Sequence, residues 1–326
     1  MRRAVILGLS GPRVLPGEAA LFRDADPWGF ILFRRNIEDS AQLRALTDRL
    51  RDIVGWDAPV FVDQEGGTVQ RLRPPLARDW PDASAQAGGE AAVRLRHRLM
   101  AHELRRHGID GNCAPVIDVA GPDTHPFLQR RIWAQAPEAV ARIARAAAEG
   151  MLAGGVLPVI KHLPGHGAAN ADSHVDLPRC HASLSALEAR DFVPVRALAD
   201  LPLGMSAHVV YEALDPQEPG THSPVVLRHL REVLGFDGLL MTDDLNMNAL
   251  GGSIPERAAR AITAGCDIAL HCSGDLAEMT GVVAAVGLLE GQAAKRAGRA
   301  LAARHAPEPI DIAAANAEFE RLTRTA

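Results

Sequence analysis

Short apolar runs rich in branched residues recur along the whole chain, separated by longer stretches of alanine, leucine and arginine with helical period. Eight such runs occur: AVILGLSG from Ala4, GFILFRRN from Gly29, PVFVDQEGG from Pro59, GNCAPVIDV from Gly111, LPVIKHLPG from Leu157, LGMSAHVVY from Leu203, DGLLMTDDLN from Asp237 and DIALHCSG from Asp267. Their apolar positions are consecutive and not alternating, which is how a strand buried on both faces reads. The intervening stretches predict helices over Ser40 to Ile53, Glu90 to His107, Pro137 to Ala153, Ser185 to Leu198, Pro224 to Leu234 and Pro255 to Ala264. The segment from Ile312 to Arg324 reads as a last helix on the outside.

Strand followed by helix, repeated eight times, predicts an α/β fold with a parallel sheet closed into a single-domain (β/α)8 TIM-type barrel. The expected domain is one catalytic barrel over residues 1–326, with irregular early strands and a C-terminal helix at about 312–324. An open doubly wound sheet is the main competitor. That fold usually carries a G-x-G-x-x-G turn after its first strand, and GLSGPRVLP does not supply one.

Composition narrows the partners more than the fold. Hydrophobic residues make up 47% and charged residues 23%, the mixture of a folded globular chain. A net charge of -5 lacks the basic excess that binding to phosphate backbones leaves in a sequence, so nucleic acid is excluded as the expected partner. The opening MRRAVILGLSGPRVLPGEAALF mimics a secretory signal, but its apolar run breaks at Gly8, Gly11 and Pro12, and no stretch approaches membrane-spanning length. The expectation is a soluble cytoplasmic monomer with no membrane partner. Cys113, Cys180, Cys266 and Cys272 are widely spaced without a C-x-x-C pair, which predicts buried free thiols. The basic stretch RLRHRLMAHELRRHG from Arg94 reads as an outer barrel helix with a solvated basic face, and CDIALHC as a buried last strand.

Barrel active sites lie on the loops that follow the C-terminal ends of the strands. There the runs turn polar: Asp63, Gln64 and Glu65 close the third, Asp118 the fourth, Lys161 and His162 the fifth, His208 the sixth, Asp243 and Asp244 the seventh, and His271 the eighth. Each taken alone reads as a cap or a satisfied structural group; together they converge on one mouth. The chain contains no G-x-S-x-G, H-x-H or H-E-x-x-H, which leaves acid/base hydrolysis. A glycosidase needs an anion on one side of the sugar and a proton donor on the other, and Asp243 with a histidine can fill those roles. A metal-dependent barrel hydrolase remains open on these residues alone.

The motifs carry a resemblance. KHLPGHG at Lys161 followed by ADSH at Ala171, VDQEGGTVQRL at Val62, NCAPVIDV at Asn112, SAHVVYEALDP at Ser206 and GFDGLLMTDDLNM at Gly235 resemble family 3 glycoside hydrolases, in particular bacterial cytoplasmic β-N-acetylhexosaminidases of cell-wall recycling. The match runs in order from about the second strand to the eighth. The resemblance implies a retaining exo-β-N-acetylglucosaminidase that works through a covalent glycosyl-enzyme, without cofactor or metal, on GlcNAc-1,6-anhydroMurNAc and its peptides. A broader glucosidase, a phosphorylase or a non-catalytic sugar binder are the alternatives, the last opposed by the presence of Asp243, Asp172 and His174.

By the same resemblance Asp243 is the nucleophile, His174 the acid/base and Asp172 the residue that orients His174. Asp63, Arg71, Arg131, Lys161 and His162 match sugar-binding positions. Around Arg131 the chain reads RIWAQAP where the family reads R-S-F-G-x-D-P, so Arg130 competes for that role. Histidine suits a proton shuttle because its ordinary pKa lies near neutral. His166 reads as structural, holding its loop by a hydrogen bond.

Overall fold

The eight apolar runs become eight parallel strands in a computed structural model that describes residues 1–121, 124–169 and 177–324. The strands are β1 (Arg3–Leu7), β2 (Pro27–Leu32), β3 (Val60–Val62), β4 (Gly111–Asn112), β5 (Leu157–Leu163), β6 (Leu203–Ser206), β7 (Leu239–Met241) and β8 (Ala269–His271). Neighbours run in the order β7-β6-β5-β4-β3-β2-β1-β8. A parallel bridge between Met241 and Ile268, with Thr242 N–H donating to the Ile268 carbonyl at 3.0 Å, joins β7 to β8 and closes the ring. The protein is a TIM-type α/β barrel.

Both faces of these strands are buried, as their unbroken apolar character requires. Ile6, Ile31, Phe61, Val159, Met205, Met241 and Leu270 belong to one buried cluster inside the ring. The residues between them face the helices: Val5, Leu7, Phe30 and Val62 pack with Phe22, Leu46 and Met279, while Ile160 and Leu240 pack with Leu198 and Phe236. The early strands are irregular. The β1–β2 register shifts between Arg3 and Ile6, and β4 is only two residues long because Pro115, which has no N–H, follows soon after. Beyond it the chain still tracks β5, with Ile117 N–H on the Lys161 carbonyl at 2.7 Å.

Helices over Ser40–Val54, Gly89–Arg106, Pro137–Ala153, Ile254–Ala264 and Ile312–Arg324 match the periodic stretches closely. The stretch from Ser185 to Leu198 is instead two short helices, Leu184–Ala189 and Phe192–Ala197, broken at Arg190. Pro224 to Leu234 begins as an α-helix, Pro224–Arg228, and widens into a π-turn over His229–Val233. Helices at Pro16–Ala25, Pro126–Gln129, Leu276–Ala285 and Gly291–Ala302 lie outside the periodic stretches.

One expectation is corrected. The basic helix Gly89–Arg106 does not carry a wholly solvated basic face, because Arg96, His97 and Arg98 are buried. It is overlaid by the chain around Pro81 and by the C-terminal segment, and its guanidinium groups satisfy carbonyls there. Arg96 donates to the carbonyls of Glu65 at 2.7 Å and Pro81 at 2.8 Å, and Arg98 to that of Glu308. CDIALHC is the buried last strand, and all four cysteines are buried and free. No helix among the described residues is long and apolar enough to cross a membrane.

Candidate active site

Every strand-end polar residue named from the sequence lies at one mouth of the barrel or just behind it. After β3 the chain folds into a short antiparallel hairpin, Gln64–Gly66 with Val69–Gln70, which returns Arg71 to the side of Asp63. Gln64 pins that hairpin: its side-chain Oε1 accepts the backbone N–H groups of Arg71 and Leu72 at 3.0 Å each, and its backbone N–H donates to Asn112 Oδ1 at 2.9 Å. Gly66 has φ +107, which L side chains rarely adopt, and a Cβ there would stand 2.6 Å from the Pro81 carbonyl oxygen.

Five charges interlock across the pocket. Arg71 Nη2 donates to Asp63 Oδ2 at 3.0 Å, and Lys161 Nζ, from the end of β5, to Asp63 Oδ1 at 3.0 Å and Glu65 Oε1 at 2.7 Å. Arg131 grips Glu65 with both Nε (2.9 Å) and Nη2 (2.8 Å), the bidentate geometry that fixes a guanidinium plane. Burial alone would raise both carboxyl groups, but Lys161 and the arginines outweigh it and hold Asp63 and Glu65 below the usual carboxylate range. Burial likewise opposes the Lys161 charge, and Asp63 and Glu65 reverse that to raise its pKa. The set brings together Asp63, Arg71, Arg131 and Lys161 from four separate places in the sequence. Arg130, by contrast, is exposed.

Asp243, directly after β7 and Thr242, stands on the other side of His162. His162 Nε2 is 3.8 Å from Asp243 Oδ2, while Nδ1 is 2.8 Å from Asp118 Oδ2. Burial disfavours the Asp243 charge, but His162, His208 and Lys161 overcome it and leave the carboxyl lowered, hence an anion at neutral pH. Asp244 differs from its neighbour. Burial, reinforced by the Asp243 charge, pushes it up to about 6 although the Asn246 N–H donates to it at 3.0 Å. Adjacent carboxyl groups thus carry opposite shifts, and Asp243 is the one whose surroundings favour its charge. His208 sits beneath, its Nδ1 2.7 Å from Thr221 Oγ1 and its Nε2 3.1 Å from the Asp244 carbonyl.

Asp172 and His174 lie outside the described residues. His166 fastens its loop through the main chain: its backbone N–H donates to Asp118 Oδ1 at 2.8 Å, while ring Nδ1 has no hydrogen-bond partner among the described residues. Burial and the adjacent His162 push its pKa down to about 4. Sequence reasoning assigned no role to Glu65 or Asp118, which hold Arg131 and His162 in place. Both stood at polar strand ends, the one signal that marked them. His271 turns away to Glu278 at 3.0 Å. Among the described residues no group of three or more His, Cys, Asp or Glu side chains is arranged to hold a metal ion.

Comparison with known proteins agrees with this geometry. Residues 18–301 match the Glycosyl hydrolase family 3 N terminal domain. A beta-hexosaminidase of Alkalilimnicola ehrlichii is 40% identical over 288 residues, covering 82% of this chain and 80% of that protein. One from Tolumonas auensis is 35% identical over 331 residues, covering 98% and 93%. The crystal structure of NagZ from Neisseria gonorrhoeae in complex with N-trifluoroacetyl-D-glucosamine superposes with a TM-score of 0.85 at 31% identity, covering 99% of this chain and 96% of that one. With a match that spans most of its length, relatives this similar and a barrel whose mouth presents an ionised aspartate, the chain belongs to glycosyl hydrolase family 3.

Proposed function

We propose that this protein is a retaining exo-β-N-acetylglucosaminidase that removes terminal non-reducing GlcNAc from peptidoglycan fragments, GlcNAc-1,6-anhydroMurNAc and its peptides, in cytoplasmic cell-wall recycling. The observation that carries the reading is the ionised Asp243 carboxylate facing His162 at 3.8 Å, beside a pocket of interlocked charges suited to sugar hydroxyls. The relatives named beta-hexosaminidase, and a neighbour bound to an N-acylated glucosamine analogue, support the amino-sugar specificity.

In this mechanism Asp63, Arg71, Lys161 and Arg131 hold the glycone, carboxylates accepting from hydroxyls and cations donating to them. Asp243 attacks the anomeric carbon, and the C–O bond to the aglycone breaks as His174, oriented by Asp172, gives its proton to the leaving oxygen. In the second half His174 takes a proton from water, the water oxygen bonds the anomeric carbon, and Asp243 leaves with retained configuration. A neutral base avoids placing a second anion beside Asp243. The test is a panel of aryl β-glycosides assayed with and without phosphate. Strong preference for β-N-acetylglucosaminides, with a rate independent of phosphate, is expected; equal kcat/KM for the corresponding glucosides would remove the cell-wall role, and a phosphate requirement would make the enzyme a phosphorylase.

A further inference from the structure

Asp118 takes no part in the reaction as written, yet it is 1% exposed and lies one hydrogen bond from the glycone side of the pocket. Its Oδ2 is 2.8 Å from His162 Nδ1, and its Oδ1 accepts the backbone N–H groups of His162 at 3.2 Å and His166 at 2.8 Å. A carboxylate only accepts hydrogen bonds, so the ring nitrogen that faces it carries a proton. The opposite nitrogen, Nε2, looks toward Asp243 Oδ2 across 3.8 Å, beyond direct hydrogen-bond reach. The His166 ring stands edge-on to the His162 ring at 5.6 Å between centroids and packs against it. Burial opposes the Asp118 charge, but His162 and the surrounding donors outweigh it and hold the carboxyl below the usual carboxylate range.

We propose that Asp118 is a positioning residue for glycoside cleavage: it keeps the proton on His162 Nδ1 and locks the ring with Nε2 turned to the glycone beside Asp243. The inference rests on the reading of Asp243 as the nucleophile. A ring nitrogen's state is set by the hydrogen bond its opposite nitrogen makes, so the carboxylate chooses what the sugar meets. On the same reading His162 holds the glycone and is not the proton donor, so Asp118 acts equally on every leaving group.

Asp118→Asn separates this role from loop fastening. The amide oxygen keeps both backbone N–H groups, while the amide nitrogen turns a donor toward Nδ1 and drives the proton to Nε2. In 15N-histidine spectra, assigned with His162→Gln, wild-type His162 is expected to carry its proton on Nδ1 and the Asp118→Asn variant to lose it there. kcat/KM is expected to fall roughly 10²-fold, the scale of a misplaced catalytic group, by one common factor for activated and unactivated aryl N-acetylglucosaminides. Adding Asp118→Asn to His162→Gln should cost little more, because neighbours that act through one another are not additive. An unprotonated Nδ1 in the wild type, or an undiminished loss in the His162→Gln background, overturns the proposal. If the wild type cleaves none of the glycosides, the functional reading fails instead, and the ring spectrum still decides Asp118.

Discussion

At the residue scale, the opposite shifts of Asp243 and Asp244 make a sharp prediction. Asp243→Ala should abolish turnover and leave a folded protein, and a mechanism-based fluorosugar should label Asp243; peptide mapping that found the label on Asp244 would move the nucleophile by one residue. Arg131 and Arg130 give a second test. Arg131 is 8% exposed and bidentate on Glu65, so Arg131→Ala leaves that buried carboxylate with Lys161 alone and should cost about 1.5–3 kcal/mol of stability, whereas Arg130→Ala at the surface should stay within about 0.5 kcal/mol. Arg131→Lys keeps the charge and loses the fork, and is expected to fold with a lower kcat/KM. Urea unfolding and steady-state assays check all three. The convergence of Asp63, Lys161, His162 and Asp243 was legible because a buried strand that turns polar at its end can only aim those groups at the mouth. The work of Glu65 and Asp118 was not, since their partners Arg131 and His162 stand 66 and 44 residues away and no local pattern links them.

Elements were read well where periodicity alone decides and poorly where packing does. Pro137–Ala153 carries one apolar stripe and a proline at its first turn, so its boundaries followed from the sequence. The burial of Arg96 did not, because it depends on carbonyls brought over from Glu65 and Pro81 by tertiary folding. The same contrast can be measured with two glycines. Gly298 lies exposed within Gly291–Ala302 with nothing within 4 Å of an added Cβ, so Gly298→Ala should stabilise the protein by about 0.5–1 kcal/mol through helix propensity. Gly150 is also within a helix, but its Cβ would stand 2.2 Å from the Arg94 carbonyl of the packed helix Gly89–Arg106. Gly150→Ala must push the two helices apart, and overpacking of about 1–3 kcal/mol exceeds the propensity gain. Opposite shifts of the urea midpoint are expected; two stabilisations would show that the helices separate without cost.

For the molecule as a whole, a barrel buried on both strand faces has nowhere to solvate the polar groups that its helices and loops carry inward, and histidine records this most clearly. Burial pushes His97 down to about 3, and His166 and His222 down to about 4. Unfolded, each titrates near 6.5. The unfolded chain therefore binds more protons than the folded one below about pH 6.5, and the stability these neutral rings confer, complete above that value, is lost as the pH falls toward their folded values. Asp244, raised to about 6, acts in the opposite sense, as do Glu103, Asp110 and Asp191, which burial also raises. A difference measurement removes them. His97 is 0% exposed and far from Asp243 in sequence, with Nδ1 2.8 Å from the Val93 carbonyl, and Gln at that position can hydrogen-bond without titrating. One group contributes about 1.4 kcal/mol per pH unit between its two pKa values, so the unfolding free energy of the wild type relative to His97→Gln should fall by roughly 2 kcal/mol between pH 7 and 5. Urea unfolding of both proteins across that range decides the point: a difference that stays constant with pH would mean that His97 takes up its proton in the folded barrel as readily as in water.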